Sequence, residues 1–160
     1  MKGKDKGFSL VELIVVIAIM AVATTIGGYA LSTISLANTK NCATEIKSKL
    51  DLTRMEATRS VAEASREVLI YADESGVYLK VGDGDAERIG NSSVTVKCDG
   101  DGFTNANLID RTTSNGGVRF SYDKSSGAFD KMECSKMVVS GAGREYTLTL
   151  YAKTGKIKME

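Results

Sequence analysis

From Leu13 to Thr39 the chain carries no charged side chain, and most of the stretch is Ile, Val, Ala, Leu and Met. A hydrocarbon core about 30 Å thick takes roughly 20 apolar residues in a helix, so the run predicts a bilayer-crossing helical half over 8–36. The pattern then becomes amphipathic over 37–66. Cys42, Ile46, Leu50, Thr53, Ala57, Val61 and Ala64 recur at spacings of three and four, while Lys47, Asp51, Arg54, Arg59, Glu63 and Arg66 occupy other faces. Glu45 and Lys49 have the acid-to-base spacing that supports a helix by a few tenths of a kcal/mol. After Arg66 the apolar period falls to two. Strands are predicted at 68–72, 76–81, 93–98, 117–122, 136–140, 145–151 and 155–159, with Asp73-Glu74-Ser75-Gly76 and Gly141-Ala142-Gly143 as turns. The predicted class is α+β: a long N-terminal helix whose second half packs against a small antiparallel β-sheet domain at 67–160.

The approach to the apolar run narrows the reading further. Met1-Lys2-Gly3-Lys4-Asp5-Lys6 is basic on balance, which places it in the cytoplasm and the C-terminal domain outside. An ordinary secretory signal has an apolar region of roughly 7–15 residues and ends at a small-residue cleavage site. Here the helical pattern instead runs on past Lys40. Glu12 stands at the start of the run, and a charge inside a membrane helix costs about 2.5–3.5 kcal/mol at its centre. An acid there calls for a partner.

Residues Gly7-Phe8-Ser9-Leu10-Val11-Glu12, followed directly by an apolar helix, resemble the class III signal of type IV prepilins and pseudopilins. The resemblance is close over about the first thirty residues. It implies that a prepilin peptidase removes leader 1–7 by cutting between Gly7 and Phe8 and methylates Phe8, and that Glu12 is the assembly acid. By this resemblance the chain starts as a single-pass protein of the cytoplasmic membrane and moves into an extracytoplasmic filament. Its partners would be the peptidase, the lipid bilayer before assembly, an inner-membrane assembly platform and other pilin or pseudopilin subunits. In such a filament the Glu12 carboxylate of one subunit would pair with the amine of its neighbour and set the axial register. Family members often carry a helix-weakening proline in this span. None is present here, and Gly27-Gly28 either substitutes for it or permits close helix packing. More loosely, Leu50-Asp51-Leu52-Thr53-Arg54-Met55-Glu56-Ala57 and a last strand beginning Thr154-Gly155-Lys156-Ile157 resemble the minor pseudopilins of type II secretion.

Composition removes most competing chemistry. The chain has no histidine, the commonest general base and metal ligand, and no catalytic constellation stands out, so neither enzyme activity nor a cofactor is expected. Twenty-one basic against twenty acidic side chains give no overall drive toward nucleic acid. A DNA- or ligand-binding tip pilin of an uptake apparatus stays as the alternative, with Lys97, Arg111, Arg119, Lys124, Lys131, Lys136 and Arg144 as candidate phosphate contacts. Asp83-Gly84-Asp85 and Asp99-Gly100-Asp101-Gly102 offer oxygen ligands to calcium, but they read first as tight turns, and no metal is expected. The three cysteines match no zinc spacing. Outside the membrane a disulfide is permitted; Cys98 and Cys134, both in the sheet domain, are the expected pair, leaving Cys42 as an apolar filler on the helix stripe.

Overall fold

Helix α1 occupies Leu10–Arg59 and is followed by antiparallel β-sheets. The structure, a computed structural model, describes residues 9–59 and 67–160, and within them leaves out the side chains of 25–34, 114 and 115. The chain divides into two units, Met1–Ile34 and Ser35–Glu160.

In the first unit every described side chain from Leu10 to Thr24 is exposed. Among the described residues no helix is long and apolar enough to cross a membrane. Of the expected span at 8–36, residue 8 and the side chains of 25–34 lie outside what the structure describes.

The second unit is built on the C-terminal part of α1. Thr39, Cys42, Ala43, Ile46, Leu50, Thr53 and Ala57 are buried along one side of it. This is the predicted stripe with Thr39 and Ala43 added; Val61 and Ala64 lie outside the described residues. The two buried threonines bond to their own helix. Thr39 Oγ1 donates to the Ser35 carbonyl at 3.0 Å and Thr53 Oγ1 to the Lys49 carbonyl at 2.8 Å, so neither hydroxyl is buried unpaired. The expected Glu45–Lys49 pairing gives way to a tertiary one: Lys49 Nζ meets Glu87 Oε2 at 2.5 Å, and Lys47 with Asp51 forms the i,i+4 pair at 2.7 Å.

Among the described residues ten strands follow: β1 (Glu67–Asp73), β2 (Gly76–Val81), β3 (Glu87–Asn91), β4 (Thr95–Gly100), β5 (Phe103–Asn107), β6 (Val118–Tyr122), β7 (Phe129–Met132), β8 (Lys136–Gly141), β9 (Arg144–Tyr151) and β10 (Lys156–Met159). They form two five-stranded sheets, ordered β3-β2-β1-β6-β7 and β10-β9-β8-β4-β5, where the sequence pattern suggests one. The seven predicted strands are present with small shifts of boundary. β3, β5 and β7 were not predicted, because their sequences (ERIGN, FTNAN, FDKM) lack sustained alternation and owe their pairing to regular neighbours. Helix α2 (Leu108–Asn115) is also additional. The Asn107 carboxamide accepts the Ile109 amide at 3.4 Å to start it, and Gly116 ends it in a left-handed conformation at φ 73°.

The β1–β2 hairpin turns where the Asp73 carboxylate accepts the amides of Ser75 and Gly76 at 2.8 and 3.0 Å. From there Val68, Ile70, Ala72, Val77 and Leu79 point inward to join the α1 stripe in one core. Val96, Met137, Val139 and Leu148 bring the second sheet to the same core. Each fully buried side chain of this size stabilises the fold by about 1.5–3 kcal/mol. Packing is close where α1 meets β3: a Cβ built on Gly90 would stand 2.9 Å from Cys42 Sγ, so only glycine fits without displacement.

Candidate functional site

The N-terminal segment is built around the start of α1. Gly7 and Phe8, the expected cleavage pair, lie outside the described residues. Ser9 is the first described residue and caps the helix. Its hydroxyl accepts the Glu12 amide at 3.2 Å, and its carbonyl accepts the Leu13 amide at 3.1 Å as the first helical bond. Ser9-Leu10-Val11-Glu12 has the Ser-x-x-Glu spacing of a capping box, a start signal that was legible in the sequence but not used there. It places Glu12 in the first turn, where the positive end of the helix dipole favours an acid. The Glu12 side chain is exposed.

Behind Glu12 the helix is apolar on every side. Leu10, Val11, Ile19, Met20 and Val22 are each more than 60 % exposed. An apolar surface of this kind on a soluble monomer marks an interaction site. Thr24 does not interrupt it, because its hydroxyl donates to the Met20 and Ala21 carbonyls at 3.0 and 2.9 Å and so needs no outside partner. The segment is thus an acid at a capped helix start, carried on a rod with apolar faces all round.

In the second unit the three cysteines are buried free thiols. Cys98 on β4 hydrogen-bonds with Cys134, which just precedes β8; that bond, then burial, raises the Cys98 pKa. The Cys134 thiol donates to the Lys136 carbonyl at 3.0 Å. The expected partners are therefore neighbours. Burial, with Glu45 nearby, pushes the Cys42 thiol up to about 12, which leaves it little nucleophilic character.

The acid-rich runs form turns. Gly82-Asp83-Gly84 links β2 towards β3, Asp101-Gly102 links β4 to β5, and the Asp99 carboxylate accepts the Asn105 amide at 2.5 Å. Among the described residues no group of three or more Cys, Asp or Glu is arranged to hold a metal ion. The seven candidate phosphate-binding cations are spread over both sheets, α2 and the β6–β7 loop rather than gathered in a stripe. Lys131 is 3.4 Å from Glu133, Lys136 stands opposite Asp99 in register, and the Arg111 guanidinium lies 3.9 Å above the Phe103 ring.

Against known protein families, residues 2–28 match the model of the prokaryotic N-terminal methylation motif, the signal of type IV pilins and pseudopilins. The match takes in Gly7, Phe8, Glu12 and the apolar run as far as Gly28. No curated protein and no solved structure matches the chain at a significant level.

Proposed function

We propose that this chain, which carries the type IV pilin and pseudopilin signal, is a structural subunit of a type IV pilus or type II secretion-like filament. One observation supports the reading above the others: the methylation motif coincides with a capped helix start bearing Glu12 at the head of an all-round apolar rod. In this reading a prepilin peptidase removes residues 1–7, Phe8 becomes the methylated first residue, and the apolar half of α1 waits in the bilayer until assembly. The C-terminal domain lies outside the cytoplasm.

The new Phe8 amine and the Glu12 carboxylate then carry opposite charges into an apolar filament core. Each costs several kcal/mol to bury alone, and a neighbouring subunit in register supplies the counter-charge. A slip by one helical turn leaves both unpaired, so the pair selects one axial position. The motif supports a structural subunit rather than an enzyme. We place the chain among minor pilins or pseudopilins because the connections between its strands are short. The alternative of a DNA-binding tip pilin draws less support, since its cations are dispersed.

The test is mass spectrometry of the protein from its host, together with Glu12→Ala. The mature chain should begin at methylated Phe8, and the variant should be cleaved normally yet stay in the membrane. A chain retaining Met1, or a Glu12→Ala variant that enters polymer at the normal level, would falsify the reading.

A further inference from the structure

The two sheets have four edge strands, and two of those edges are blunted. On β7 the Phe129 amide is taken by the Ala152 carbonyl at 3.0 Å. On β5 the backbone turns left-handed at Asn105, φ 53°, and its pairing with β4 shifts between Cys98 and Gly100. β3 and β10 each keep a single strand neighbour among the described residues. Along β10, Thr147 and Glu160 exchange backbone bonds of 3.0 and 2.9 Å. By the alternation of an antiparallel ladder, the N–H and C=O of Ile157 and Met159 therefore point away from β9.

The two open edges carry opposite charge. Exposed Asp83, Asp85 and Glu87 lead into β3 and outnumber the one exposed cation on it, Arg88, whereas exposed Lys153, Lys156 and Lys158 lead into and along β10. Among the described residues Asp83, Asp85, Lys153 and Lys156 form no ion pair. Glu87 meets Lys49, and Lys158 meets Glu160, in surface pairs weak enough to exchange. Edge lysines ordinarily discourage strand addition. Here they repel a second β10 while matching the acids of β3, so the same residues that exclude self-pairing admit the other edge.

We propose that β10 of one copy docks beside β3 of the next, extending the sheet from subunit to subunit. The strands run parallel, because that direction sets the lysine-rich start of β10 against the acidic approach to β3. The reverse direction would bring the Glu160 carboxylate onto the acids. Backbone groups of the two free edges supply the bonds, and the charges choose the partner. Because the two surfaces differ, the contact is head-to-tail and passes from one subunit to the next, the kind of contact a filament requires. The proposal rests on the filament reading but concerns the globular domain, not the N-terminal helix.

The test uses full-length chains co-expressed in the host: one carrying Asp85→Cys, the other Lys156→Cys, with mild oxidation and measurement of both the disulfide-linked dimer and the polymer. The native cysteines are buried and remain as the common background. The mixed pair should cross-link at least tenfold more than either variant alone. With the cysteine probes moved two positions, to exposed Glu87→Cys and Lys158→Cys, adding Lys156→Glu should cut the yield about tenfold and further adding Asp85→Lys should restore it. Polymer without the mixed cross-link overturns the edge contact and leaves the filament reading standing. A mixed cross-link without polymer supports the contact and counts against the filament reading; absence of both overturns both.

Discussion

Arg54 Nε donates to the Gly127 carbonyl at 3.0 Å, joining α1 to the β6–β7 loop across 73 positions of sequence. The same side chain packs on Gly155 in the β9–β10 turn, where a Cβ would stand 3.0 Å from Nε and 2.0 Å from the Gly127 oxygen. One arginine on the helix thus holds a turn from each sheet. Arg54→Ala should lower the unfolding free energy of the full chain in detergent by about 1–2 kcal/mol, losing a charge-assisted bond and the packing of the stem. Denaturant titration reads the change, and Arg54→Lys should recover only part of it, because an ammonium lacks the planar fork.

Ser9 caps the helix that carries Glu12. Ser9→Ala should cost about 1 kcal/mol at the helix start and fray the first turn, whereas Ser9→Asp should retain the cap. The readout is amide hydrogen exchange of Val11 to Leu13 in micelles, faster in the alanine variant and little changed in the aspartate one.

Cys98 and Cys134 are buried neighbours, and the Cys98 pKa is raised, so as thiols both should resist alkylation at pH 8 while the fold is intact. We expect the chain from an oxidising compartment to carry the Cys98–Cys134 disulfide. A bridge closing a loop of this length stabilises by about 3–4 kcal/mol on the chain-entropy scale. Mass spectrometry after denaturing alkylation should find only Cys42 labelled, and Cys134→Ser should lower the thermal midpoint of the oxidised protein.

Tyr122 is 2 % exposed, and among the described residues its hydroxyl has no hydrogen-bond partner. The ring stacks on Phe129 at 4.6 Å between centroids, so the apolar part of the side chain is well used. Tyr122→Phe should therefore leave stability unchanged or raise it by up to about 1 kcal/mol, the reverse of most core substitutions. Differential scanning calorimetry checks the sign.

Asp123 closes the β6–β7 loop by accepting bonds from the hydroxyls and amides of both Ser125 and Ser126. Those bonds, Ser125 foremost, hold its pKa down to about 2. A carboxylate lowered in the folded state stabilises above its unfolded value, near 4, and that contribution is lost as pH falls through about 2. Thermal midpoints of the wild type and Asp123→Ala should differ at pH 5 and converge towards pH 2.

The class of the fold, the helix stripe and the regular strands were legible because each follows from a local period. Cys42, Ile46, Leu50 and Thr53 had to face a core whatever lay opposite, and Val68-Leu69-Ile70-Tyr71-Ala72 could alternate only as a strand. The processing motif was legible for a related reason: residues 7–12 are contiguous, and their meaning needs no third dimension. The Ser9 cap is equally local, since it needs only Ser9 and the Glu12 amide three residues on.

Other features were settled by partners distant in sequence. Lys49 turns from Glu45 to Glu87 because β3 brings that acid within 2.5 Å, closer than the neighbouring helical turn does. β3, β5 and β7 are strands because regular neighbours present unpaired backbone groups, not because ERIGN, FTNAN or FDKM prefer to be extended. Two sheets form instead of one because β1 takes β6, and β4 takes β8, across long stretches of chain. Local pattern determined which residues face inward; only tertiary pairing decided what they face, since a hydrogen-bond ladder is completed by whichever strand the folded chain delivers.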